Sequence, residues 1–393
     1  MRRIVAAGSI FVLIVAGVLA AGASRGPETS HVHDHGATLS NGVRVVVDQP
    51  PARKNPAPCS AAASGGRAVV HRAGGKPATS PSLARRAPDA CLYRTGFNAA
   101  EPTLGIDKKG RIFFQTLDAN EWPLFSTDVA LSKNDGKMWT AVSPAAGPAN
   151  RHPYTEDPYL YVDEDTGRVF TADYLLPCSE ISFSDDAGQS WTTTIMGCDV
   201  VDHQSIFSGP PVSSPTVGYP NIVYYCSADV GLASNTAQSS CLKSLNGGLT
   251  FVRTGEPAFT TTTPSPIADC DGLHGHGVVG RDGTVYLPKG YCGQPWLAIS
   301  TDEGTTWTRV QVANNGTPTH EAGVAVDKRG NIYYTWIVNN RLPYLAVSTD
   351  SGEKWSKPMM VGPSGLKEAS LPGIAVGDVG KVALIYMGST NSP

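Results

Sequence analysis

Five histidines lie beyond residue 100: His152, His203, His274, His276 and His320. Carboxylates accompany them at Glu101, Glu156, Asp157, Asp202, Asp271 and Glu321. Imidazole exchanges a proton near neutral pH, and a set of imidazoles and carboxylates can bind a divalent metal or perform acid–base work on a bound sugar. His274-Gly275-His276 is the sharpest element, because in an extended segment the two rings share one face. Taken singly, each residue is as well explained by a polar loop in which histidine caps a turn or bonds backbone. Taken together, they need a scaffold that gathers positions spread over more than two hundred residues.

Two interleaved repeats supply one. Ile106-Asp107-Lys108-Lys109-Gly110-Arg111-Ile112-Phe113-Phe114 recurs as 162–170, 279–287, 326–334 and 376–384, with a looser version over 215–225. Each is a β-branched or aromatic strand, a glycine turn and a second strand. The other repeat is Ser300-Thr301-Asp302-Glu303-Gly304-Thr305-Thr306-Trp307, with variants at 132–139, 184–191, 244–251 and 348–355. Its Ser and Asp/Asn side chains can bond local amides, its glycine tolerates positive φ, and its terminal aromatic can anchor the next strand. These turns start 52, 60, 56 and 48 residues apart, a period of about one four-stranded sheet.

The second motif is the Asp-box, and a chain carrying five of them over residues 91–393 resembles the sialidase-type β-propellers. The resemblance implies an all-β, six-bladed propeller whose Asp-boxes close the outer hairpin of each blade, on the face opposite the channel mouth. The last hairpin is followed by too few residues for two outer strands, so the sixth blade is expected to be incomplete in this sequence. Val43 to Val47 could supply one of them, or the natural domain could extend past Pro393. In this frame every one of the five histidines falls at or before the start of an inner strand, on the mouth rim. Asp157 and Glu321 become acid/base candidates, and His203, His274, His276 and His320 the residues that could hold a divalent metal, which is the cofactor this set could take. The frame also implies sequential disulfides, Cys59–Cys91, Cys178–Cys198, Cys226–Cys241 and Cys270–Cys292, the last three on the mouth rim.

Sialidase chemistry implies three arginines for the substrate carboxylate, a tyrosine nucleophile and an acid/base carboxylate. Aligning Pro102-Thr103-Leu104 with the family's first arginine motif puts Ala100 where the arginine belongs. Arg94, Arg151 and Arg341 are the remaining mouth candidates, with Glu101 and Asp202 beside them as substrate contacts and Tyr154 or Tyr159 as nucleophile. The expected function is therefore binding of a glycan or cell-envelope polymer at the mouth. The alternative is an exo-α-sialidase with a displaced arginine cluster.

Composition agrees with exposure outside the cytoplasm. Gly (42) and Pro (30) are plentiful and charged residues are 17%, as suits short strands joined by turns. A formal charge of −3 gives no basic footprint for nucleic acid. Met1-Arg2-Arg3, the apolar run from Ile4 to Ala20 and Ala21-Gly22-Ala23 read as a secretory leader over 1–23, or as an anchor if it is retained. Residues 24–90 carry nine basic against four acidic residues among Ala, Pro, Ser and Gly, which reads as a flexible linker. Its His31-Val32-His33-Asp34-His35 tract has no second ligand cluster and is read as plain linker. Eight cysteines, an even number, favour disulfides in an exported chain acting as a monomer, secreted or at the cell surface.

Overall fold

The computed structural model describes residues 36–38, 44–46, 95, 97, 100–118, 126–144, 153–175, 177–229, 238–260, 270, 273–316, 321–339, 341–362 and 365–391. All regular structure among them is β-strand. The first pair, β1 (Gly36–Thr38) and β2 (Arg44–Val46), forms a short antiparallel hairpin. The sequence pointed to the second strand of this pair and gave no sign of the first.

Five four-stranded antiparallel sheets follow, each built of consecutive strands in the order A–B–C–D. Blade one is β3 (Ala100–Ile106), β4 (Ile112–Asp118), β5 (Ser126–Ser132) and β6 (Thr140–Ala141). Blade two is β7 (Tyr159–Val162), β8 (Val169–Leu175), β9 (Cys178–Ser184) and β10 (Thr192–Cys198). Blade three is β11 (Val201–Gly209), β12 (Ile222–Asp229), β13 (Gln238–Ser244) and β14 (Val252–Arg253). Blade four is β15 (Val278–Val279), β16 (Val285–Tyr291), β17 (Gln294–Ser300) and β18 (Thr308–Gln311). Blade five is β19 (Gly323–Val326), β20 (Ile332–Ile337), β21 (Pro343–Ser348) and β22 (Met359–Met360).

A sixth sheet holds only β23 (Glu368–Val376) and β24 (Val382–Ser389). Among the described residues the complete blades thus number five rather than six, and the shortfall lies in the last sheet, where the sequence placed it. In blade three the inner strand is Val201–Gly209, upstream of the looser repeat at 215–225, because a twelve-residue turn (210–221) separates it from β12.

Blades pack face to face through aromatic and branched side chains. Phe207, Tyr224 and Phe259 join Val285 and Leu287 between blades three and four, and Tyr286, Tyr334 and Trp336 fill the space between four and five. The small residues of the inner strands permit this approach. A methyl on Gly105 would meet Val162 at 2.5 Å, and one on Gly209 would meet Val279 at 2.4 Å.

The Ser-x-Asp/Asn turns bind themselves. Ser300 Oγ donates to Asp302 Oδ1 (2.8 Å) and accepts from Gly304 N (2.8 Å), and Asp302 Oδ1 accepts from Thr306 N (2.9 Å). The same serine bond recurs from Ser184 to Asp186 and Ser348 to Asp350, and from Ser132 and Ser244 to the amide oxygens of Asn134 and Asn246. Trp191 Nε1 and Trp307 Nε1 then donate to the preceding blade, at Val142 O (2.8 Å) and Glu256 O (3.1 Å). All five turns join strands C and D, hence lie at the end away from the start of strand A.

Three disulfides form in the expected sequential pairing: Cys178–Cys198 and Cys270–Cys292 close the other rim, whereas Cys226–Cys241, expected there too, lies inside the sheet because β12 and β13 run on three residues beyond it. Cys178 and Cys198 are directly opposed across β9 and β10, and Cys226 and Cys241 across β12 and β13. The expected Cys59–Cys91 pair lies outside the described residues, as do the expected leader over 1–23 and most of the expected linker. Three disulfides suit an oxidising, extracytoplasmic setting. Among the described residues no helix is long and apolar enough to cross a membrane.

Candidate functional site

The pairing register reveals a ring that no local motif announces. In five sheets the A-strand residue that faces the first residue of strand B is Ile106, Val162, Val279, Val326 or Val376; in blade three the pair Gly209–Ile222 lengthens the ladder by one, and the bulge shared with sheets one and six aligns Ser208, opposite Val223, with them. Five residues upstream of these, at the start of strand A, stand Glu101, Asp157, His203, His274, Glu321 and Leu371. Five of the six equivalent positions are therefore ionisable, one in each complete blade.

The backbone is shaped at these points. In sheets one, three and six the register shifts between Ala100 and Thr103, between Asp202 and Ser205, and between Ser370 and Gly373. In each case two residues oppose one, which is a β-bulge, and its first residue has positive φ: Glu101 (52°), His203 (50°) and Leu371 (52°). A left-handed conformation at a non-glycine residue costs about 1–2 kcal/mol. The bulges turn Glu101 and His203 off the strand's normal alternation.

His203 is the hub. Its Nε2 lies 3.0 Å from Glu321 Oε1, and its backbone N donates to Asp157 Oδ2 (2.8 Å). The neighbouring Gln204 amide donates to the Asp157 carbonyl. The His203 ring stacks on His276 (4.9 Å between centroids, 17°) and stands edge-on to His274 (5.8 Å, 83°). Tyr159 covers His276 from blade two, with centroids 4.4 Å apart. Tyr159 and His276 occupy equivalent positions two residues inside the ring, and Ser205 holds that position in the blade between them.

Electrostatics sets three imidazoles on different courses. Burial would lower the His203 pKa, but the hydrogen bond and charge of Glu321, followed by the charges of Asp157 and Asp202, raise it to about 9. His203 is thus an imidazolium at neutral pH. Burial of His274, and for His276 enclosure by the mouth although its edge reaches solvent, followed by the His203 charge, hold both near 3, so both are neutral. His274 is fully buried, and its Nδ1 donates to Gly275 O (2.8 Å), which leaves Nε2 as a bare acceptor. That Nε2 has no hydrogen-bond partner in the protein, and neither does His203 Nδ1.

The carboxyls crowd one another. Glu101 reaches solvent, yet enclosure by the mouth and then the Asp157 charge raise it to about 7. Asp157 rises to about 6, first through burial, with His203 opposing and Asp202 reinforcing. The Tyr159 hydroxyl is pushed above its ordinary value by burial and then by Tyr161, which keeps it protonated.

Asp157, Glu321, Glu101, Asp202, His203, His274, His276 and Tyr159 are thus brought together. Tyr154 is half-buried in the segment leading into β7. Arg341 is exposed in the B–C loop of blade five, where its guanidinium donates to Glu368 of β23. Arg94, Arg151 and His320 lie outside the described residues, as do His152 and Asp271. Among the described residues no group of three or more His, Cys, Asp or Glu is arranged to hold a metal ion. The histidines meet ring against ring instead of pointing lone pairs at a common centre. The ring's membership was partly legible as histidines preceding strands. The equivalence of Glu101 and His203 at matching bulges was not, because a bulge is a feature of pairing between distant strands.

No protein-family model matches the sequence, and no curated protein matches it. Solved propellers do. The NanB sialidase from Streptococcus pneumoniae, in complex with 2-[(3-chlorobenzyl)ammonio]ethanesulfonate, is 10% identical with a TM-score of 0.50 over 76% of this chain and 67% of its own. The leech intramolecular trans-sialidase, complexed with 2,7-anhydro-Neu5Ac, is 13% identical with a TM-score of 0.50 over 74% of this chain and 64% of its own. The α-L-arabinofuranosidase arb93a of Fusarium graminearum is 14% identical with a TM-score of 0.48 over 76% and 95%. This chain spans about two thirds of the length of the two sialidases. At these identities the likeness is one of fold.

Proposed function

We propose that the channel mouth binds a glycan or a glycan-bearing cell-envelope polymer outside the cytoplasm. The observation that carries this reading is the ring of equivalent positions, where five blades each contribute an ionisable side chain and Tyr159 and His276 add polar-edged aromatic rings. Sugars are held by side chains that pair with adjacent hydroxyls while rings cover their C–H faces, and neutral imidazoles and carboxylates offer such pairing. The sialidase-like propellers that this chain matches at a TM-score of 0.50 are enzymes of glycans, which supports the substrate class. A leader over 1–23 and a basic linker over 24–90 would present this propeller outside the membrane, secreted or at the cell surface.

A second reading has one specific observation in its favour. Asp157 and Glu101, held near 6 and 7, are carboxyls able to donate a proton at neutral pH, as a glycosidase acid must. Against the exo-sialidase form of this reading stand Ala100 at the first arginine position and the engagement of Arg341 with Glu368. The test is binding of the purified protein to a glycan array, beside incubation with fluorogenic glycosides. Retention of a glycan that is lost in Tyr159→Ala supports binding. Turnover of a sialoside that vanishes in Arg151→Ala supports hydrolysis, and retention of no glycan defeats the first reading.

A further inference from the structure

The described part of the mouth carries a charge pattern opposite to what an acidic sugar requires. Four carboxyls, Glu101, Asp157, Asp202 and Glu321, face two cations: the His203 imidazolium, which is already paired with Glu321, and the buried Lys289 ammonium opposite His274, which is sealed from solvent. The other two imidazoles are neutral, and Arg341 is engaged elsewhere with Glu368. An anion entering here meets like charge, whereas a cation meets carboxyls that gain from it.

A second feature independently points to a ligand group that donates hydrogen bonds. His274 is fully buried, and its Nε2 is a lone-pair acceptor without a partner. Buried acceptors are rarely left unmet, so a donor is owed to this position. Because the carboxyls are spread over several blades and form no metal-binding group, the arrangement suits a broad, hydrogen-bonding ammonium better than a bare metal ion.

We infer that the mouth accepts a cationic glycan, one that carries unsubstituted amino sugars, and that Glu101 and Asp202 select its ammonium group. This inference rests on the glycan reading above and narrows it to a substrate class. Ammonium binding favours ionised carboxyls, so occupancy draws protons off Glu101 and Asp157. Glu101 feels Asp157, Asp202, Glu321 and His203, and all but the last of these make its ionisation harder until a cation arrives.

The test uses the purified full chain and isothermal calorimetry. The probes are a glucosamine tetramer, its fully N-acetylated counterpart, sialyllactose and spermine. The glucosamine tetramer is expected to bind at least about tenfold tighter than the acetylated one, with sialyllactose weakest and spermine weaker than the tetramer. Its affinity should rise between pH 5.5 and 7, with proton release seen as a dependence of the heat on buffer. Glu101→Gln should cost about five- to thirtyfold, the range of one favourable charge contact, and should narrow the gap to the acetylated tetramer. Asp202→Asn provides a second variant should the first fold poorly. If the acetylated or sialylated probe binds as tightly as the glucosamine tetramer, the charge inference falls while the glycan reading stands. Spermine binding as tightly as the tetramer overturns the sugar assignment, and binding of no sugar removes the glycan reading and the inference with it.

Discussion

Replacing Glu321 by glutamine should destabilise the propeller strongly at neutral pH and much less at alkaline pH. The reasoning begins with His203, whose ordinary pKa of 6.5 is raised to about 9 by its bond to Glu321 after burial is overcome. The folded state therefore holds a proton more tightly than the unfolded chain. A raised histidine pKa gives stability that is fully present below about 6.5 and is lost as pH climbs through about 9. The rise from 6.5 to about 9 corresponds to about 3 kcal/mol. Only 13% of the His203 side chain and 23% of the Glu321 side chain are exposed, so solvent screens the pair little. Glu321→Gln leaves a buried imidazole with no carboxylate, and the cost at pH 7 should be about 2–3 kcal/mol. For a chain of this size that is a fall in Tm of roughly 5–8 °C, read by calorimetry under oxidising conditions. At pH 10 wild-type His203 is itself neutral, and the gap between the two proteins should close to within about 1 kcal/mol. Equal destabilisation at pH 7 and pH 10 would refute the claim that an ion pair spans blades three and five.

Asp173 is buried between blades one and two, accepts from Gln115 Nε2 (2.9 Å) and from Thr127, and has its carboxyl raised to about 7 by burial. Its ionisation opposes folding, so wild type should gain stability as pH falls from about 7 towards 4, and Asp173→Asn should flatten that slope in thermal melts. Glu303 accepts three backbone amides, at Val212, Ser213 and Ser214, and the Lys243 ammonium (2.9 Å), which together hold its carboxyl at about 2 against burial. Glu303→Ala should cost about 3–5 kcal/mol in denaturant titrations, and wild type should lose this contribution only as pH falls below about 4.5. Each disulfide closes a loop of 15 to 22 residues, so Cys226→Ser with Cys241→Ser should lower stability by about 3 kcal/mol, measured by urea unfolding.

The sequence showed its architecture through turns and periodicity, because each blade is made from consecutive strands and a Ser-x-Asp/Asn turn bonds within a few residues of itself. Strand order, the short last sheet and three disulfide pairings followed from that local grammar. The site was legible by half. Histidines at strand starts could be read from position, whereas the stacking of His203 on His276, the edge-on approach of His274 and the reach of His203 to Glu321 depend on how blades are tilted against one another. The metal reading gains no support among the described residues, which do not include His320, since shared location on a rim does not aim lone pairs at one centre. Arg341 illustrates the same limit, because Glu368, which takes its guanidinium, lies 27 residues away in the next sheet.

The most direct trial of the mouth as the binding site compares two variants on one glycan array. Tyr159→Ala opens the aromatic cover over His276, and Asp186→Ala disturbs a C–D turn at the opposite end of blade two. If the mouth binds, wild type and Asp186→Ala retain the same glycans while Tyr159→Ala loses them by tenfold or more in affinity. Loss in Asp186→Ala with retention in Tyr159→Ala contradicts the assignment.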